Sequence, residues 1–349
     1  MKKIFLLALS GLLTLGFTSC QNGDSEFDNP DGKVSVYFAY QNPVRTLVMG
    51  EDTYDTTLDN LHQCIIYAVM GGSSSGKDIK AQLVVDNSLT NKLYFDVANP
   101  TPVKPMPRNY YILGDDNSDT QTVSFDGKMR GGVKVQFTDA FFADPEAVSN
   151  NYVIPLVIKS QVGADTILCG QPVIAGSNPQ RTDIASWLIA PLDYTLFCVK
   201  YISKYDANYC RRGVDKITAG GTTTTVVRHN ARIEDDEVYS GVTTRSLNSI
   251  NYPLTLNVGN AAKSCNLIVT FDANEQATIT TNTAGVTVTG TGSYEVKGEK
   301  KSWNNKDRDR MILKYKIDFG GGATVETTDT LVTQSRGVVT EEFACKYVK

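Results

Sequence analysis

An all-β chain of two modules, a sandwich followed by an antiparallel barrel, is predicted by three observations. Short runs rich in Val, Thr and Tyr alternate apolar with polar residues from Lys33 onward, which is strand chemistry. Gly, Pro, Asn and Asp punctuate those runs at short intervals, while no amphipathic pattern sustains a helix of about ten residues. One irregular stretch, 161–190, carries Gly163, Gly170, Pro172, Gly176 and Pro179 and divides the strand-rich sequence in two.

The chain begins with a different kind of segment. Lys2 and Lys3 precede an apolar run from Ile4 to Phe17, and Thr18 and Ser19 lead to Cys20. A positive start, a short apolar core and small residues make a secretory signal over residues 1–19. The run is shorter than the roughly 20 residues that a membrane-spanning helix needs. Leu15-Gly16-Phe17-Thr18-Ser19-Cys20 resembles a bacterial lipobox, which implies cleavage before Cys20 and acylation of its thiol. At about 0.8 kcal/mol per buried CH₂, two or more chains on Cys20 anchor a protein stably to lipid. A plain signal with a coincidental cysteine is the alternative. Residues 20–32 form an acidic tether carrying Asp24, Glu26, Asp28 and Asp31.

Residues 33–160 read as the first module. Val34, Val36, Phe38 and Tyr40 alternate; Val44 to Met49 follow; Cys64 to Met70 is continuously apolar, as in a strand covered on both faces. Gly71-Gly72-Ser73-Ser74-Ser75-Gly76 is a flexible turn, and Ile79, Ala81, Leu83 and Val85 alternate again. Short strands are expected at 110–113 and 122–125, with another carrying Val133, Val135 and Phe137. Asn151 to Ser160 reads as an edge strand, because Pro155 lacks an N–H for a ladder. Seven or eight short strands in about 130 residues fit an immunoglobulin-like sandwich.

The domain boundary is placed in the 161–190 linker, and Trp187 at its end is expected to pack into the interface. Residues 191–349 then read as a long meander that starts with Tyr194 to Ile202. Gly220-Gly221, Asp272-Ala273-Asn274-Glu275 and Gly320-Gly321-Gly322 mark its turns. Sequential strands joined by tight turns must close or protect their edges, and a lipocalin-like barrel does so.

Composition narrows the function. The formal charge of −4 becomes about −6 once Lys2 and Lys3 are removed, which excludes the basic footprint of nucleic-acid binding. Six cysteines remain besides Cys20: Cys64, Cys169, Cys198, Cys210, Cys265 and Cys345. Outside the cytoplasm disulfides are permitted, but spacing selects no pairing, and Cys64, Cys198 and Cys265 lie in apolar runs that suit buried free thiols.

Several stretches resemble a known family: 33–38, 151–156, 194–202, Asn208-Tyr209-Cys210-Arg211-Arg212-Gly213, and the run Lys297 to Asp309. They are similar to the two-domain surface lipoproteins that accompany polysaccharide-utilisation systems in Bacteroidetes, with an N-terminal immunoglobulin-like domain of unknown function and a C-terminal lipocalin-like domain. The resemblance implies a location on the outer face of the outer membrane, with the acidic tether as export signal. It also implies glycan capture beside an outer-membrane importer. Lipid through Cys20, an oligosaccharide or polysaccharide, and an importer complex are therefore the implied partners; no nucleic acid is.

The residues offer little for catalysis. His62 and His229 are the only histidines and have no metal-ligand spacing, so neither a metal nor a cofactor is expected. No G-x-S-x-G elbow occurs, and no spacing singles out a pair of carboxylates for glycoside hydrolysis. An enzyme is not expected. Asp115, Asp116, Asn117 and Asp119 have the oxygen chemistry of a Ca²⁺ loop but read as an ordinary turn. Arg228, Arg232, Glu234, Asp235, Asp236 and Glu237 read as a solvated connection. Sugar recognition pairs aromatic faces with amides, carboxylates and Arg. Trp303 with Asn304, Asn305, Asp307 and Arg308 is the best local match, although a Trp there also suits a barrel cap. Tyr40, Tyr54, Tyr205 and Tyr209 are further candidates. The competing reading is a structural or adhesive, fimbrial-type lipoprotein with an exchangeable edge strand.

Overall fold

The computed structural model describes residues 33–72 and 78–349. The signal segment, Cys20 and the tether lie outside the described residues. The two helices described are short, Thr57–Asn60 and Asp139–Ala143; the rest is strands, single turns and loops. The fold is all-β with two units.

The first unit is a sandwich. One sheet runs Thr166–Ile167, Ser35–Tyr37, Gln63–Gly71, Arg130–Phe137 and Tyr111–Leu113 in spatial order. The other runs Glu341–Glu342, Pro43–Val48, Tyr194–Ile202, Tyr152–Val162, Lys80–Val85 and Thr120–Ser124, with Lys104–Pro105 beside Tyr152–Val162. Cys64, Ile66, Ala68 and Met70 point into the space between the sheets and meet Ile154, Leu156, Val199 and Tyr201. Gln63–Gly71 alternates between buried and half-buried residues, so its second face is only partly covered, although its sequence is almost wholly apolar.

Two expectations change here. Tyr152–Val162 is a central strand, paired with Tyr194–Ile202 on one side and Lys80–Val85 on the other. The Pro155 carbonyl accepts from Asp86 N (2.9 Å), just past the end of Lys80–Val85. The missing Pro155 donor therefore falls at a ladder end, where only a terminal bond is lost. Tyr194–Ile202 does not open the barrel. It runs parallel to Pro43–Val48 inside the sandwich. The reason lies in its burial: Val199 and Tyr201 face the sandwich core, while Tyr194, Leu196 and Cys198 face a second core with Leu89, Phe95 and Phe343. A strand apolar on both faces needs cover on both. The 161–190 stretch is thus an excursion within the first unit. Arg181 ties it down through Asp193 (2.8 Å), and Trp187 donates to Gln180 O (3.0 Å) within the excursion itself.

The second unit is an up-and-down antiparallel sheet. Its order is Thr222–Arg228, Asn208–Ala219, Thr324–Ser335, Arg308–Asp318, Thr287–Glu299, Gln276–Thr281, Ala261–Phe271, Ser249–Val258 and Thr243–Ser246. Glu237–Tyr239 pairs with Asn208–Ala219 on the same edge as Thr222–Arg228. The sheet curls until its two ends meet through side chains. Tyr252 donates to Asp329 (2.9 Å), Tyr239 donates to the Pro253 carbonyl, and the rings of Tyr239 and Tyr252 meet edge to face at 5.1 Å.

The barrel interior is filled. Leu254, Leu267, Met311, Leu313, Ile317 and Leu331 supply its apolar bulk. Tyr205 stacks on Phe271 at 3.9 Å, and Tyr294 abuts both rings at one end. A buried polar network completes it. Asp329 accepts from Arg228 (2.6 Å), Arg211 (3.3 Å), Tyr252 and Tyr315 (2.6 Å), and Asp215 accepts two bonds from Arg228 (2.9 Å each) and one from Thr327 (2.8 Å). Burial pushes the Asp215 carboxyl up, but Arg228 and Thr327 more than offset it and hold it below its usual value. Burial raises the Tyr252 and Tyr315 phenols, which keeps both as donors.

The 228–237 connection is therefore not simply solvated. Arg228 reaches into the network, and Asp236 is buried against Arg212 (2.6 Å). All six described cysteines are free. Burial raises the thiols of Cys64 and Cys198 to about 12.

Candidate binding cleft

Where the two units meet, a cleft of about 480 Å³ opens to solvent. The first unit contributes Glu51, Asp52, Thr53 and Tyr54. The barrel contributes Lys297, then Lys306 to Asp309, then Thr333 to Val338. Three segments far apart in sequence thus converge on one place.

Each wall has a local cause. The 51–56 loop leaves strand Pro43–Val48 through Gly50, whose φ of +86° is left-handed. An added Cβ at Gly50 would lie 2.8 Å from Lys204 Cβ, so only glycine allows the strand end to pass this close to the barrel. Asn60 pins the loop base by accepting from Gly50 N (2.8 Å) and donating to Gly50 O (2.9 Å). Asp59, fully buried, accepts from Val48 N (3.0 Å) and pairs with Arg45. The Tyr54 ring stands 44% exposed at the rim. Its phenol is raised, first by burial and then by Asp52 and Asp59.

The second wall is the connection between Thr287–Glu299 and Arg308–Asp318, where the register shifts between Glu295 and Glu299. Lys297 and Lys301 have positive φ there. Asp309 accepts from Tyr294 Oη (2.7 Å) and Lys297 N (2.8 Å). Asp307 accepts from Lys301 N and Lys300 Nζ (3.1 Å each), and these hold its carboxyl below its ordinary value. Lys297 Nζ reaches across to Glu51 (2.8 Å) and bridges the two units.

Arg336 makes the third wall. Its guanidinium donates to Asp206 O (2.7 Å), Met49 O (3.0 Å) and Ser203 O (2.7 Å), so one side chain fastens the barrel's last strand to the sandwich. Charge-assisted bonds of this kind are about twice as strong as neutral ones.

The sequence candidates separate on inspection. Asp307, Arg308 and Tyr54 line the cleft. Trp303, Asn304 and Asn305 form a single turn that packs against the Ile233–Asp235 turn; Trp303 is half-buried, and the two Asn are exposed outside the cleft. Tyr205 and Tyr209 are buried, with Tyr209 donating to Tyr205 O (2.6 Å), so neither ring can meet a ligand. Tyr40 lies elsewhere, beside Tyr67, Phe197 and Arg130 at one end of the sandwich. His62 packs on Phe142 at 4.1 Å, and His229 is exposed. The 115–119 segment is a turn: Asp116 accepts from Ser118 N and Gln121, and Asp119 pairs with Arg108. Among the described residues no cluster of His, Cys, Asp or Glu could hold a metal. Glu51, Lys297 and Arg336 were not legible as site residues from the local sequence.

A crystal structure of a protein of unknown function from Bacteroides ovatus is 35% identical and superposes with a TM-score of 0.84, covering 91% of this chain and all of that one. The chain belongs to the same family as that protein. Within the family fold, residues 204–337 match a domain of unknown function (DUF5627), and residues 27–165 match a model described as an N-terminal domain. An auxiliary nutrient binding protein from Bacteroides thetaiotaomicron is 11% identical, covering 83% of this chain and 90% of that one, with a TM-score of 0.35, a likeness that carries no argument. No curated protein matches.

Proposed function

We propose that this family member is a lipid-anchored cell-surface protein that binds a glycan in the cleft between its two units and hands it to an uptake system, without cleaving it. The observation that carries the reading is the cleft itself. An exposed Tyr54 ring stands with the Gln334 amide, the Ser335 hydroxyl and several charged groups around one solvent-open space. That is the combination sugars require: an aromatic face for the ring carbons and polar groups for the hydroxyls.

A binding role fits the state of the cleft carboxylates. A glycosidase acid needs a raised pKa. Here the Lys301 N–H and Lys300 hold Asp307 low, the opposite of what such an acid needs. The lipid anchor rests on Cys20, and the outer-membrane location on the tether that follows it.

Calorimetry of the mature chain against a polysaccharide panel tests the reading. At least one glycan should bind, and Tyr54→Ala should weaken it; silence across the panel overturns the proposal. Labelled palmitate should enter the native protein and not Cys20→Ala.

One observation favours a second, adhesive reading. Thr222 to Val227 form an uncharged outer strand that is exposed along its length, and exposed uncharged edges invite pairing with another chain. Polymer ladders on gels after mild denaturation, absent in Thr224→Pro, would support that reading over the first.

A further inference from the structure

From the two unpaired cations of the cleft and the way Arg308 is held, we infer that the bound saccharide is acidic, carrying a carboxylate that Arg308 and Lys306 receive; this rests on the glycan-binding reading above.

Most charged groups of the cleft already have partners. Among the cations lining the cleft, Lys297 is matched by Glu51 and Arg336 is held by three carbonyls. Among the carboxylates, Asp307 has Lys300 and the Lys301 N–H, Asp309 has Tyr294 and the Lys297 N–H, and Asp52 turns back on Thr53 N and Oγ1. Lys306 and Arg308 have no carboxylate partner among the described residues. The cleft therefore presents two cations that make no ion pair, while its carboxylates Asp52 and Asp309 are held by hydrogen bonds to Thr53, Tyr294 and the Lys297 N–H.

Arg308 is also aimed. Its Nε donates to the Trp303 carbonyl (3.2 Å), which fixes the guanidinium and leaves both terminal nitrogens without a partner. That carbonyl is turned toward Arg308 by two successive left-handed residues, Asn304 (φ +56°) and Asn305 (φ +54°). Asn is among the few side chains that adopt this conformation readily. A held guanidinium with two free terminal N–H₂ groups is a fork, and a planar carboxylate is the group that matches a fork with two parallel bonds. A neutral hydroxyl matches only one arm. Tyr54 lines the same space and offers its ring to the sugar. A uronic acid carries both features, an apolar ring face and a carboxylate, in a single residue. The Trp303 turn thus serves the site by positioning Arg308 and not by stacking on sugar.

The test uses the full mature chain and tetrasaccharides of galacturonate, glucuronate and mannuronate, each beside its carboxyl-reduced neutral counterpart. One uronate should bind at least about tenfold more tightly than its reduced form, the difference expected of a charged hydrogen-bonded pair. The preference should shrink as salt is raised. Arg308→Ala and Lys306→Ala should each reduce it, and Arg308→Lys should restore only part. Lys314→Ala, an exposed cation on the same strand outside the cleft, should leave it unchanged. If reduced and acidic tetramers bind equally, the inference falls and glycan binding stands. If the tetramers and every member of the polysaccharide panel are silent, glycan binding falls with it.

Discussion

Asp215 and Arg228 show how a single pair can set the acid limit of the barrel. The two form a bidentate ion pair in the interior, and Asp215 is almost fully buried. Its carboxyl is held below the ordinary value in the folded protein. A carboxyl lowered by folding adds stability above its unfolded pKa of about 3.9 and loses it as pH falls through the folded value. Acid unfolding of the barrel should therefore steepen below about pH 4. Asp215→Asn should lower stability at neutral pH by about 1–3 kcal/mol, because buried Arg228 loses one of its two carboxylate partners and keeps only Asp329. Urea titrations from pH 3 to 7 would show both effects; a variant as stable as the parent at pH 7 would contradict them. At this scale the sequence marked Tyr54, Asp307 and Arg308 through their chemistry. It could not mark Glu51, Lys297 or Arg336, because their roles depend on a partner more than a hundred residues away, and a run of local residues carries no trace of that.

Elements were legible where the pattern was local. The barrel meander could be read from turns such as Gly320-Gly321-Gly322, because from Thr243–Ser246 to Thr324–Ser335 each strand pairs with a sequence neighbour. Tyr194–Ile202 could not be placed that way. Its ladder partners, Pro43–Val48 and Tyr152–Val162, are distant from it in sequence, and an apolar strand looks the same at a sandwich centre as at a barrel start. Pro155 misled for a related reason: the cost of a missing N–H depends on which neighbour it faces, and the sequence does not say. The Trp303–Asn305 turn makes an element-level prediction. Asn305→Val places a β-branched residue at φ +54°, a strain of roughly 1–2 kcal/mol. The turn should relax, the Trp303 carbonyl should release Arg308, and uronate affinity should fall although residue 305 lines no part of the cleft. Unchanged affinity in a folded variant would show that the turn does not position Arg308.

Across the whole molecule, the chain leaves the sandwich after Ile202, builds the barrel, and returns. Glu341–Glu342 pairs with Pro43–Val48, and Cys345–Tyr347 pairs with Leu93–Phe95. Phe343 meets Phe95 edge to face at 5.1 Å in the second core of the sandwich. The sandwich is thus completed by residues made after the barrel, and the cleft is held between two crossings of the chain. Ending the chain at Val338 should remove this cover and destabilise the sandwich by about 3–5 kcal/mol, the usual cost of losing a buried Phe. The barrel network should persist. Buried Cys198, whose thiol is otherwise raised to about 12, should then react faster with a thiol reagent. Alkylation at Cys198 no faster than in the full chain would argue that the return segment is dispensable.

The proposed glycan site is the cleft between the units. Hydrogen exchange with and without a glycan found by calorimetry measures this most directly. Protection should appear together in three segments, 51–54, 297–309 and 333–338, and should be lost in Tyr54→Ala. Protection confined to the sandwich end around Tyr40 and Tyr67, or none in those three segments while binding is detected, would contradict it.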